Sequence, residues 1–249
     1  MKSAAKAGLW LYGKHVVLAA LANKNRVCQQ LLVTKDHYDE FAKLAGSRHN
    51  LNIELATPDA INRMLPRDAV HQNVALKALP LPEYHITDLL DQKNSNSCVL
   101  ILDQITDPHN VGAILRSCAA FNAAALITTV NNSPQESGVL AKAASGALEI
   151  VPIIHVVNLK STMNELKQHG YWLVGLDGKA SQTISEIKFA DKTALIMGAE
   201  DKGMRRLTEE NCDFLAKLPI NSHIESLNVS NAAAIALYEY QRKRYESMT

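Results

Sequence analysis

From Cys98 onward, short unbroken apolar runs alternate with stretches whose apolar positions recur every three or four residues. The runs VLILD (99–103), ALITT (125–129), IVPII (150–154), YWLVGLD (171–177), TALIMG (193–198) and FLAKLPI (214–220) predict strands. Helical spacing between them predicts helices over 110–121, 135–146, 158–169 and 203–211, with a last helix at 228–245. Strands apolar on both faces and separated by helices predict an α/β fold with a mainly parallel sheet, covered on both sides.

The first part of the chain has shorter elements. LYGKHVVLAALAN predicts an entry turn and a helix with Val16, Val17, Ala20 and Leu21 on one apolar face. VCQQLLVT predicts a strand, DHYDEFAKLAGSRH a helix ending near Gly46, and NIELA a second strand. TPDAINRML predicts a helix with Thr57 as N-cap and Pro58 at its first position, and HQNVALKALP a closing strand. PLPEYHITDLLDQKNSNS, with its prolines and Asn/Ser cluster, predicts a linker holding one short helical turn. The expected division is a small α/β domain at 9–79, a linker at 80–97 and a larger α/β domain at 98–249.

Composition narrows the function classes. Hydrophobic residues make up 47% and charged residues 20%, as in ordinary globular proteins. No apolar run approaches the ~20 residues of a transmembrane helix. MKSAAKAGLW lacks the apolar core of a secretory signal and reads as a short leader. The four cysteines, at 28, 98, 118 and 212, have no CxxC spacing, so buried reduced thiols in a cytoplasmic protein are expected. The histidines form no metal-ligand cluster, and no metal is expected. Residues 1–97 carry 12 Lys+Arg against 9 Asp+Glu, the remainder 14 against 16, so a nucleic-acid partner would be met by local patches.

Three polar turns sit where predicted strands end, which is where open α/β sheets collect ligands. They are DPHNVGAILRS (107–117), MGAEDKGM (197–204) and ESLNVSNAAAIALYEYQRKR (225–244). Asp107 is placed to cap a helix with Pro108 at its first position. Helical side chains lean toward the N-terminus, so Arg116 lies over Gly112 and Ala113 and reaches toward Asn110, an anion-binding arrangement. Gly198 and Gly203 permit close approach to the backbone, and Glu200 between them is either solvent-exposed or a partner for Arg116. The spacing is not GxGxxG, so a nicotinamide site is unsupported. Ala232, Ala233, Ala234 and Ala236 offer a tight packing face, within the chain or in a dimer. Arg242, Lys243 and Arg244 read as a solvated tail or an RNA contact.

In order and spacing, the three motifs resemble the signature of the SpoU (TrmH-like) RNA 2'-O-ribose methyltransferases of the SPOUT superfamily, over Val99 to about Tyr245. The N-terminal unit, with LYGKHVV and HQNVA, looks like the RNA substrate-binding domain of the RlmB-type subgroup, the ribosomal RNA guanosine-2'-O-methyltransferases. The resemblance implies a deep trefoil knot, a homodimer with shared active sites, S-adenosylmethionine as cofactor and 23S ribosomal RNA as partner. It makes Asn110, Arg116, Glu200, Ser226 and Asn228 the catalytic residues. Gly198, Leu218, Ile220 and Leu227 would bind the cofactor.

The family's arginine is often described as a general base. A guanidinium is effectively always protonated, so electrostatic stabilisation and phosphate positioning fit Arg116 better. Three positions depart from the pattern: Asp201 and Asn73 stand where glycine is usual, and NNSPQ (131–135) lacks a basic residue common there. The alternatives are a transfer RNA methyltransferase, an idle RNA-binding or ribosome-assembly factor on the same fold, and a generic nucleotide-binding domain, whose fingerprint is missing.

Overall fold

The computed structural model describes residues 8–46, 48, 50–92 and 96–248. Residues 1–7 of the expected leader MKSAAKAGLW, and residues 93–95 of the expected linker, lie outside the described residues. The chain forms two compact units. One runs to Pro82 and takes in Gln135–Ile150; the other comprises Glu83–Pro134 and the chain from Val151 on.

The first unit contains β1 (Leu9–Tyr12), α1 (Lys14–Ala22), β2 (Cys28–Val33), α2 (Tyr38–Ala45), β3 (Asn52–Leu55), α3 (Pro58–Asn62) and β4 (Val74–Ala78). Its sheet has the order β1-β4-β2-β3, with β4 antiparallel to β1 and β2, and β3 parallel to β2. Leu9 and Trp10, read from sequence as the end of a leader, and Leu11 and Tyr12, read as an entry turn, form one strand because they pair along its whole length with β4. Gly13, at φ 93°, then turns the chain into α1, a conformation glycine adopts without strain. Val16, Val17, Ala20 and Leu21 are buried on the expected face. Thr57 caps α3 with Pro58 at its first position, as the sequence predicts.

The chain continues with α4 (Ile86–Leu90), β5 (Ser97–Asp103), α5 (Pro108–Ala120), β6 (Ala125–Thr129) and α6 (Gly138–Ala144). Here the structure departs from the sequence boundary, because α6 belongs to the first unit. The reason is a buried ion cluster. The Arg26 side chain is fully buried, bonds both Glu136 and Glu149, and donates to the Leu79 carbonyl at 2.9 Å. Gly138 packs so closely on β1 that a Cβ there would collide with the Trp10 carbonyl.

The remaining elements are β7 (Ile153–Val156), α7 (Leu159–Gln168), β8 (Trp172–Leu176), β9 (Gln182–Thr183), β10 (Lys192–Gly198), α8 (Arg206–Glu209), β11 (Phe214–Lys217) and α9 (Val229–Met248). The second unit's sheet has the order β7-β6-β5-β10-β8-β11-β9, and every pairing in it is parallel. All seven residues of β5 are buried, as a central strand covered on both faces requires. Val99, Ile101, Ile127, Ile154, Leu173 and Ile196 share one core with Met163 and Leu166 of α7. Helix α9 packs against α5, with Phe121 and Tyr238 edge to face at 6.1 Å.

Candidate functional site

Asp103 ends β5 and pairs in register with Gly198, which ends β10. The Asp103 carboxylate is fully buried and accepts two hydrogen bonds from Arg205, one from its main-chain N–H (2.9 Å) and one from Nε (2.7 Å). A buried charge needs this pairing, because an uncompensated one is costly. The loop between Gly198 and Arg205 is closed by reciprocal main-chain bonds between Ala199 and Gly203, at 3.1 and 2.7 Å. Gly203 takes φ 64°, and a Cβ on Gly198 would run into the backbone of Gly203 and Met204. Both glycines are therefore required, one by conformation and one by space. Asp201 is not among the left-handed residues, so this loop needs no glycine there. Glu200 stands exposed on the loop.

Asp107 caps α5 by accepting from the His109 N–H at 3.0 Å, with Pro108 at the first helical position. This sets Asn110 in the first turn of the helix. On the third loop, Asn228 precedes α9, and its Oδ1 accepts from the Ser230 N–H (2.9 Å) and hydroxyl (2.6 Å). Its amide nitrogen donates to Asn110 Oδ1 at 3.0 Å and points to Glu200 Oε2 at 3.5 Å. One residue from each of the three motifs thus meets at a single amide.

A cavity of about 1000 Å³ opens beside this junction. It is lined by the loops after β8, β10 and β11 and by the start of α9, including Gly198, Glu200, Leu218, Ile220, Ser226 and Leu227. Asn110, Asn228 and Arg116 are not among its walls. Arg116 is exposed and among the described residues forms no ion pair, so of the two readings of Glu200 its exposure holds and a partnership with Arg116 within this chain does not. The Asp177–Lys179 loop after β8, and Asp103, Arg205 and Ser230, went unmarked in the sequence. Their signal was the position of Asp103 and Asp177 at the carboxyl ends of apolar runs.

The basic stretch 242–244 is engaged inside the molecule. Arg242 pairs with Glu239 and Glu246, Lys243 donates to the carbonyls of Ser185 and Ile187, and Arg244 bonds Asp191 at 3.5 Å. A freely solvated tail does not describe it. The four cysteines are free, three buried and Cys212 half-buried. Among the described residues no cluster of His, Cys, Asp and Glu is placed to hold a metal, and no helix is long and apolar enough to cross a membrane.

Strand-end loops that converge on one polar amide beside a cavity are the ligand site of an open parallel α/β unit. Residues 97–238 match the family model described as SpoU rRNA Methylase family, and residues 10–84 match RNA 2'-O ribose methyltransferase substrate binding. The chain belongs to the SpoU rRNA methylase family.

Among curated relatives it is 39% identical over 242 residues to the 23S rRNA (guanosine-2'-O-)-methyltransferase RlmB of Pasteurella multocida, covering 94% of this chain and 98% of that protein. The Escherichia coli K12 protein of the same name is 38% identical over 240 residues, with the same coverage. Among solved structures, the SpoU methyltransferase AviRb from Streptomyces viridochromogenes in complex with AdoMet shares the fold, with TM-score 0.80 and 21% identity over 96% of this chain and 91% of that one.

Proposed function

We propose that this protein transfers a methyl group from S-adenosylmethionine to the ribose 2'-hydroxyl of a guanosine in 23S ribosomal RNA. The observation that carries this reading is the meeting of Asn110, Glu200 and Asn228 beside a cavity, in a chain so close to enzymes of that printed activity.

The cavity suits the cofactor. Its volume lies at the upper end of the range that small ligands occupy. Asp177, Glu200, Asp201, Glu209 and Glu225 line it against Lys179, Lys202 and Lys217, a balance that favours a net cation. The bare backbone at Gly198 keeps one wall thin. Gly198, Leu218, Ile220 and Leu227 hold the cofactor, which supplies an electrophilic methyl carbon on a sulfonium. Asn110, Asn228 and Ser226 orient the ribose, and alignment supplies much of the acceleration. Arg116 draws in an RNA phosphate and stabilises the oxygen as it becomes nucleophilic.

The reading includes a trefoil knot formed by the cavity loops and a homodimer that completes each site. In the dimer, the exposed Ile235 and Tyr238 on α9 (43% and 53% accessible) gain cover, and Arg116 meets the other residues across the interface. The first unit binds the ribosomal RNA. The protein works in the cytoplasm, where reduced thiols persist.

Mapping of ribose methylation in cellular RNA, with and without the gene, tests the function. One 23S guanosine should lose its 2'-O-methyl group. Loss from a transfer RNA instead, or an unchanged map, overturns the assignment.

A further inference from the structure

The hydrogen bonds around Asn228 fix more than its position. A main-chain N–H can only donate, so the atom of Asn228 that meets the Ser230 N–H is its oxygen. The Ser230 hydroxyl donates to the same oxygen at 2.6 Å. The NH2 group of Asn228 must then face Asn110 and Glu200, and Asn110 must receive it with its own oxygen. The amide nitrogen of Asn110 is left as a donor with no partner among the described residues. The junction is therefore polarised, with Asn110 offering donors to the substrate and Glu200 only acceptors.

An attacking ribose hydroxyl has to give its hydrogen to an acceptor. Of the side chains that meet here, two are neutral amides, one is a serine hydroxyl and one is a carboxylate. Only the carboxylate is an anionic base that can accept it. Glu200 Oε2 lies 3.5 Å from the Asn228 amide nitrogen, while Oε1 has no partner among the described residues. Glu200 also lines the cavity, on a loop held by the Ala199–Gly203 bonds and by Asp103 through Arg205.

We propose that Glu200 is the proton acceptor for the 2'-hydroxyl, and that Ser230 is the positioning residue that aims the Asn228 amide at it. This rests on the function proposed above. As the oxygen–methyl bond forms, the sulfur–methyl bond breaks and its electron pair stays on sulfur. The O–H electron pair stays on the ribose oxygen, and the proton passes to Glu200. No further oxidant, base or metal is needed.

The test compares wild type with Glu200→Gln, Glu200→Asp, Ser230→Ala and Ser230→Thr. Single-turnover methyl transfer is measured to a 23S RNA transcript, with cofactor affinity from calorimetry and RNA affinity from gel shift. Proton acceptance predicts that Glu200→Gln falls at least ~100-fold while both affinities stay within about threefold, and that Glu200→Asp outruns it. Ser230→Ala falls about tenfold at unchanged affinities, and Ser230→Thr restores most of the rate. A glutamine variant as fast as the aspartate variant, or losses confined to affinity, overturns the role of Glu200. An unchanged Ser230→Ala rate overturns the role of Ser230. A wild type that binds cofactor and RNA yet transfers no methyl group sinks the function itself, a result distinct from these.

Discussion

The Asn228 amide nitrogen donates to Asn110 Oδ1 at 3.0 Å across 118 positions of sequence, while the other end of the same amide caps α9. The two tasks use different atoms, so they are separable. Aspartate is as good an N-cap as asparagine. Asn228→Asp keeps the cap but sets an oxygen against Asn110 Oδ1 and a second negative charge beside Glu200. The expected outcome is thermal stability within about 1 kcal/mol of wild type and methyl transfer reduced at least ~100-fold. Equal losses of both in melting and transfer assays would show that the amide serves only the helix.

Arg116 is exposed and unpaired among the described residues, so it contributes little to folding. Arg116→Lys keeps the charge but loses the planar fork that grips a phosphate at two points. Cofactor affinity by calorimetry should stay within about twofold, while turnover falls ~10- to 100-fold. Near-normal turnover refutes the assigned role.

Arg26 is the reverse case, a cation with no solvent exposure and two carboxylate partners. Glu149→Ala strips one partner from a buried charge and should cost about 3–5 kcal/mol in urea unfolding. Arg26→Met, which removes the charge and keeps the bulk, should cost less than Glu149→Ala in the same measurement. A fragment ending at residue 92 lacks both Glu136 and Glu149 and should not fold alone.

How far the sequence carries the structure depends on the range of the forces. β6 occupies 125–129 as predicted, and the Asp107–Pro108 start of α5 holds, because both are written in adjacent residues. IVPII was placed three residues early, since apolar runs do not distinguish the 71%-exposed Ile150 from a strand residue. The assignment of 135–150 to the first unit depends on Arg26, over 100 positions away, and no local pattern reports it. Within the site, the motifs carried the Asn110–Asn228–Glu200 meeting. They did not carry Asp103 or Ser230, whose roles exist only through hydrogen bonds to other loops.

Burial pushes the thiols of Cys118 and Cys212 up to about 12. Unfolded thiols titrate near the usual ~8.5. Above that pH the unfolded chain releases protons that the folded chain retains, so the folded state binds more and stability falls as pH rises. The contribution is intact below about pH 8.5 and is lost progressively toward pH 12, by ~1.4 kcal/mol per pH unit for each thiol. Urea midpoints at pH 8, 9 and 10 should decline, and replacing both cysteines with alanine should flatten the decline. An identical slope in that variant rules the thiols out.

Asn73 stands in the left-handed region at φ 63°, where the family usually has glycine, and so the sequence departure preserves the backbone. Asparagine tolerates this conformation better than any β-branched residue. The backbone is pinned on both sides: the Asn73 N–H donates to His71 Nδ1 at 3.1 Å, and its carbonyl accepts from the Thr34 N–H at 3.2 Å. Asn73→Gly relieves the residual strain but loosens the unfolded chain, so stability should change by less than about 0.5 kcal/mol. Asn73→Ala keeps the Cβ without the local polar group and should cost about 1 kcal/mol, and Asn73→Val more. Thermal melts of the three variants should rank them glycine, alanine, valine. An alanine variant as stable as the glycine one would mean that the turn relaxes out of this conformation, and that the glycine usual in the family is there for some need other than φ.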